Sequence, residues 1–334
     1  MTNHNGFYTV LPIWGDIIPY NSTRSKLDDM KIDYDADYQK NQVKFALLIS
    51  HYTTKLHFDR QKVIDTTTYL NSIKTGFVEE TYTDVPGLVP FPVEGSDKAV
   101  IIIPGGGFTF TGDLTAPDQE ETDKLAKRLN DRGISAFCLD YRFNPYKFPV
   151  PFLDLQRAVR WLKFHAADYG LDPNKIGLLG GSAGGYMVQG YLNLFKSTNM
   201  FPAGYEPDDI DNMPDDVCNG CMFYPALSLK KNYGCLYSTQ PKEVLKDRKA
   251  RKLVLEDTDL IHRITDTSTP LFLAHGTKDS LVDFKGSREF VENYKAAGGS
   301  IRYVEVEGAN HIFTNKPEFL YAYDAYLDWV TDKF

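Results

Sequence analysis

Residues 175–185 read Lys175-Ile176-Gly177-Leu178-Leu179-Gly180-Gly181-Ser182-Ala183-Gly184-Gly185. The short apolar run fits a strand buried on both faces, and it leads straight into the pattern G-x-S-x-G. A turn that tight leaves no room for side chains at its flanks, which accounts for the glycines, and it lifts the serine hydroxyl above the sheet. A glycine-rich turn can also serve packing alone, or cradle a phosphate. The phosphate version calls for a Lys-Ser/Thr pair after the glycines, and this segment has none. Ser182 is therefore the candidate nucleophile.

Upstream, Ala99-Val100-Ile101-Ile102-Ile103 is another unbroken apolar run, ending in Pro104-Gly105-Gly106-Gly107-Phe108. A helix is expected over about 118 to 132, with Leu125 and Leu129 on one face and Gly133 capping its end. The next strand is expected over 134–139. A helix should follow from about 151 to 168, where Phe152, Leu155, Val159, Leu162 and Ala166 form one stripe. Downstream, strands are expected near 217–224, 270–275 and 301–306. Strands alternating with helices imply βαβ units and a mostly parallel sheet. The segment 227–268, rich in Lys and Asp, reads as a lid, because sites in such sheets lie at the carboxyl ends of strands, where insertions accumulate. Residues 1–75 have no clear period but many aromatics, including Tyr8, Trp14, Tyr20, Tyr34, Tyr38 and Tyr52. They are expected to cap or wrap one catalytic domain formed by 76–334.

A serine hydroxyl is a poor nucleophile at neutral pH, so a base must take its proton and an anion must steady the base. Leu271-Phe272-Leu273-Ala274-His275-Gly276-Thr277-Lys278-Asp279 supplies a strand, a turn and a carboxylate. Val306-Glu307-Gly308-Ala309-Asn310-His311 supplies a strand end, a turn and an imidazole. Of seven histidines, His4, His51, His57 and His165 precede the serine, His262 falls in the lid segment, and His275 belongs to a strand end, where a structural role is expected. His311 is the candidate base. Asp279 is favoured as the acid over Asp283, which stands where a helix cap belongs. The oxyanion of a tetrahedral intermediate needs backbone N–H donors already aimed at it, and Gly106, Gly107 and Ala183 are the candidates.

Composition sets outer limits. At 42% hydrophobic and 25% charged residues, the chain has the balance of a globular protein with a sizeable core. A net charge of −8 argues against nucleic acid or an anionic membrane as partner, leaving a small molecule; self-association into a homo-oligomer stays open. No run of about 18 apolar residues occurs, and the first 20 residues lack the pattern of a secretory signal, so a cytoplasmic protein is expected. Cys138, Cys218, Cys221 and Cys235 are too few for a disulfide framework. Cys218 and Cys221 form a CxxC inside an expected core strand with no second ligand pair, so packing is preferred over metal or redox chemistry. The acidic run Glu206-Pro207-Asp208-Asp209-Ile210-Asp211 lacks the spacing of a calcium loop and reads as solvated.

Taken in order, Pro104-Gly105-Gly106-Gly107-Phe108, Leu139-Asp140-Tyr141-Arg142, Gly180 to Gly185, His275-Gly276-Thr277-Lys278-Asp279 and Gly308-Ala309-Asn310-His311 resemble the lipase and esterase families related to hormone-sensitive lipase. More closely, the chain is similar to bacterial carboxylesterases and acetyl or feruloyl esterase-like proteins. The resemblance covers about residues 97 to 333. It implies an α/β-hydrolase fold, a Ser182, Asp279, His311 triad, no cofactor, no metal, and an ester as substrate. Short acyl chains are expected, since the lid segment is polar where a long acyl tunnel would be apolar. The tyrosines suit acetylated sugars or hydroxycinnamates, or simply pack the cap on the core. One departure stands out: the family's His-Gly-Gly-Gly is Pro104-Gly105-Gly106-Gly107 here, so a side chain that helps hold the oxyanion loop is missing. Two other readings use the same fold: a serine aminopeptidase, and a binding protein that has lost catalysis.

Overall fold

In the computed structural model, residues 8–25, 81–108, 122–314 and 316–334 are described. Expectations for the first turn of the 118–132 helix, and for Tyr34, Tyr38 and Tyr52, lie outside the described residues.

The apolar runs become strands of one eight-stranded sheet, whose members in chain order are β1 (Leu11–Pro12), β2 (Gly87–Phe91), β3 (Ala99–Ile103), β4 (Ser135–Asp140), β5 (Ile176–Gly181), β6 (Asn219–Phe223), β7 (Leu271–Gly276) and β8 (Ile301–Val306). Their spatial order is β1-β2-β4-β3-β5-β6-β7-β8. The pairs β1/β2 and β2/β4 are antiparallel, and the remaining ones are parallel. Apolar patterning does not reveal β1 or β2. β1 is two residues long, and Gly87 and Pro90 interrupt the run that forms β2.

Alternate residues of each strand feed two cores, one on each face of the sheet. Ile101, Ile103, Leu178 and Leu273 pack with α2 (Val150–Phe164), α3 (Ala183–Gly190) and α7 (Phe284–Ala296). Val100, Ile102, Leu179 and Phe272 pack with α1 (Thr122–Asn130) and α8 (Leu320–Thr331) on the other face. Leu125 and Leu129 of α1 point inward, and Gly133 follows that helix at φ 71°, in the left-handed region. The α2 helix stops earlier than its stripe suggests. Its last turn tightens into a 3-10 turn, Ala166–Tyr169, which closes on Gly170 at φ 69°.

The described part of the N-terminal segment belongs to this core. Ile13 and Trp14 are buried, and β1 extends the sheet at its edge. Two buried arginines clasp the segment. Arg142 pairs with the fully buried Asp154 at 2.6 Å and donates to Pro19 O, also at 2.6 Å, while Trp14 Nε1 donates to the same carboxylate at 3.1 Å. Arg157 lies over the Trp14 ring, donates to Ile13 O at 2.7 Å, and pairs with Asp208 and Asp211. The acidic run at 206–211 is thus exposed at Glu206, Asp208 and Asp209, as expected, but Asp208 and Asp211 pair with Arg157. Asp211 is buried as a counter-ion of Arg157.

The segment 227–268 folds into α4 (Tyr233–Thr239), α5 (Lys242–Lys246) and α6 (Arg248–Asp257). Leu236, Leu245, Leu260 and Ile261 join the core on the α2/α3 face, whereas α6 buries no residue. Tyr186 of α3 donates its hydroxyl to Thr258 O at 3.1 Å, so the segment is fastened to the helix that follows Ser182.

Candidate active site

The turn between β5 and α3 places Ser182 at φ 54°, a backbone conformation that costs a non-glycine residue about 1–3 kcal/mol and persists only where its surroundings enforce it. The enforcement is visible. Ser182 N donates to Phe223 O at 2.9 Å, and Ser182 O accepts from Tyr186 N at 3.0 Å and Ala226 N at 3.2 Å. Glycine is compulsory on both sides: a Cβ on Gly180 would stand 2.3 Å from the Gly184 carbonyl, and one on Gly184 would stand 2.1 Å from Ile103 O.

Strand order brings the other groups to the same end of the sheet. β3 adjoins β5, with Ile103 opposite Gly180, so the glycine run after β3 passes beside the serine. A Cβ on Gly105 would lie 3.2 Å from Ser182 Cβ. Gly106 and Gly107 adopt φ 109° and 63°, both half-buried, and Ala183 opens α3, fully buried. Pro104 at the head of this loop has a tether that sequence reading did not find: the Tyr141 hydroxyl, just past the end of β4, donates to Pro104 O at 3.1 Å.

β7 adjoins β8, with Gly276 opposite Val306, and the loops after them carry Asp279 and His311. Lys278 N donates to Ala309 O at 2.9 Å, and Asn310 Oδ1 accepts from Ser280 N at 2.9 Å and His311 N at 2.8 Å, so the two loops are zipped together. The side chains then form one chain of contacts. His311 Nε2 is 3.1 Å from Ser182 Oγ, and His311 Nδ1 is 2.7 Å from Asp279 Oδ2. Asp283, the rival acid, instead caps α7 by accepting from Lys285 N at 3.1 Å. Asp279 is buried, which by itself raises a carboxyl's pKa. Hydrogen bonds from His275 and His311 outweigh that and hold it far below the usual carboxylate range. A carboxylate facing Nδ1 favours the tautomer in which Nε2 can take a proton. The Tyr224 ring packs 4.7 Å from the imidazole and limits its movement.

The model of the BD-FAE family matches residues 88–294, well over half of the chain. The chain belongs to the BD-FAE family. The match takes in Gly106, Gly107, Ser182, Ala183 and Asp279, and ends before His311. Among curated relatives, Esterase LipQ of Mycobacterium tuberculosis is 26% identical over 232 residues, 68% of this chain and 52% of LipQ. Chlorogenic acid esterase of Aspergillus niger is 28% identical over 173 residues, 49% of this chain and 32% of that protein. This BD-FAE chain spans about half the length of the first of its curated relatives. Among solved structures, the acetyl ester-xyloside bifunctional hydrolase from Caldicellulosiruptor lactoaceticus superposes with a TM-score of 0.64 at 26% identity, covering 75% of this chain and 89% of that one. The fold is that of the α/β-hydrolases, as the resemblance implied, and its sheet is mostly parallel, as the strand pattern led one to expect. Among the described residues, no helix is long and apolar enough to cross a membrane.

Proposed function

We propose that this BD-FAE chain is a serine carboxylesterase working through an acyl-enzyme on Ser182. The observation that carries the reading is the unbroken Ser182–His311–Asp279 hydrogen-bond chain at the carboxyl end of the sheet. His311 Nε2 takes the hydroxyl proton as Ser182 Oγ bonds to the ester carbonyl carbon, and Asp279 stabilises the imidazolium through Nδ1–H. The negative charge on the former carbonyl oxygen falls to the N–H groups of Gly106, Gly107 and Ala183. Collapse of that intermediate breaks the C–O bond to the alcohol, which leaves with the proton from His311. Water then attacks the acyl-enzyme, giving its proton to His311, and the acid departs as Ser182 recovers its hydrogen.

For substrate, the proposal is a short acyl ester on a carbohydrate, or a hydroxycinnamate ester. The solved acetyl ester-xyloside bifunctional hydrolase and a relative named chlorogenic acid esterase support it, as does the polar α6 in the segment read as a lid. Residues 8–25 act as a strap on the same domain, and a chain with only four cysteines suits a reducing, cytoplasmic location. The test compares wild type with Ser182→Ala on p-nitrophenyl esters from acetate to long acyl chains. Acetate or butyrate turnover should fall at least about 10⁴-fold in the variant. A wild type inert on every ester while cleaving an aminoacyl-p-nitroanilide would transfer the same chain of residues to peptidase chemistry.

A further inference from the structure

Asp279 serves two imidazoles. Its Oδ2 faces His311 Nδ1 at 2.7 Å and His275 Nε2 at 3.0 Å, while its Oδ1 accepts from Leu281 N and Val282 N, each at 2.8 Å. His275 is fully buried near the end of β7. Its Nε2 also faces Val282 O at 3.2 Å. Both neighbours of Nε2 are acceptors, so that nitrogen carries a proton, and Nδ1 is left to accept from Ser287 Oγ, 2.7 Å away on α7. Ser287 is buried as well. The carboxylate and the Val282 carbonyl thereby set the tautomer of His275, the Ser287 hydroxyl completes it, and His275 shares the carboxylate oxygen on which His311 depends.

Building on the proposed esterase chemistry, we infer that His275 and Ser287 are positioning residues that set the basicity of His311. A donor on Oδ2 disperses the charge of Asp279 and weakens its hold on an imidazolium at position 311. In a buried site, where water screens little, that hold governs how readily His311 keeps a proton. Without the His275 N–H, the full carboxylate charge acts on His311 and its protonated form gains. Among the described residues, Asp279 is the charged side chain in contact with both rings; the titratable ring against His311 is Tyr224, whose hydroxyl lies 3.4 Å from Thr314 Oγ1.

The test is the pH profile of kcat/KM for p-nitrophenyl acetate in wild type, His275→Phe, His275→Gln and Ser287→Ala. The acid limb reports the base of the free enzyme, and in His275→Phe it should move to higher pH by about half a unit or more. Ser287→Ala should move it less in the same direction. His275→Gln, whose amide N–H reaches toward Oδ2, should return it toward wild type. An unmoved acid limb in folded His275→Phe overturns the inference; if that variant does not fold, an unmoved limb in Ser287→Ala does so. A readout without substrate separates this failure from failure of the esterase reading. The proton between His311 and Asp279 gives a downfield NMR signal, assigned by its loss in His311→Gln, and its titration midpoint should shift upward in the same variants. A wild type that hydrolyses no ester removes the proposed function, while that midpoint still decides whether His275 tunes His311.

Discussion

Gly184→Ala adds a single methyl group to the turn after Ser182 and should disable the chemistry out of proportion to its size. The new Cβ would lie 2.1 Å from Ile103 O, 2.9 Å from Ile103 C and 2.8 Å from Pro104 O. The closest of these is short of ordinary van der Waals separation by more than about 1 Å, and all three atoms are backbone, which cannot swing aside as a side-chain tip can. Ile103 is locked in the buried strand β3 by its pairing with β5, so the parts that yield are the turn carrying Ser182 and Ala183 and the loop from Pro104 to Gly107. Overpacking of this kind costs about 1–3 kcal/mol of stability. Displacing an oxyanion donor costs a further factor of about 10²–10³ in kcat with little change in KM, because the donor acts on charge that exists only in the transition state. Steady-state kinetics on p-nitrophenyl acetate, with thermal unfolding of the same samples, separates the two effects. Gly133→Ala is the control: Gly133 sits at φ 71°, where a side chain is strained, but has open space around its Cβ, so it should lose some stability and no turnover. Wild-type kcat in a folded Gly184→Ala enzyme would refute the placement of the oxyanion loop against α3.

Asp279→Asn should keep the fold and lower kcat by about 10⁴-fold, because the amide no longer enforces the productive His311 tautomer; circular dichroism and steady-state kinetics check it. Tyr141→Phe removes the hydroxyl that holds Pro104 O and should cut kcat by about 10-fold, with KM nearly constant and unfolding little changed. Arg142→Met strips the buried Asp154 of its cation and should cost about 3–5 kcal/mol in urea unfolding, part of which the double variant Arg142→Met/Asp154→Leu should restore. Burial raises the pKa of Asp266, but hydrogen bonds from Lys196 and Ser268 bring it to about 2. Its folded-state value lies below the unfolded one, so its stabilisation is complete above about pH 4 and is lost as pH falls through the folded value. The melting temperature of Asp266→Asn should therefore trail wild type at pH 7, with the gap closing as the solution approaches pH 2.

The sequence made the proposed triad legible and left the groups around it hidden, for a physical reason. Ser182, Asp279 and His311 each follow a strand, and a strand, a turn and a polar residue in succession leave a local signature. The sheet order, with β3 beside β5 and β7 beside β8, then delivers them to one place. Supports have no such signature, because they act across long separations. Tyr141 reaches Pro104 over 37 positions, and the pattern Leu139-Asp140-Tyr141-Arg142 says nothing of where its hydroxyl goes. His275 was readable as a strand-end residue with a structural part, yet its link to Asp279 depends on the turn folding back over four residues, and Ser287 on a helix packing beneath. The reading of the acidic run at 206–211 as solvated fails at Asp211 for the same cause: composition records charge, whereas the guanidinium of Arg157 that neutralises Asp208 and Asp211 comes from a helix more than fifty residues upstream. Chemistry at this site is therefore set by short segments, but its tuning is set by contacts between segments. Ser287→Ala, which leaves every motif intact, is the substitution that should separate motif from mechanism.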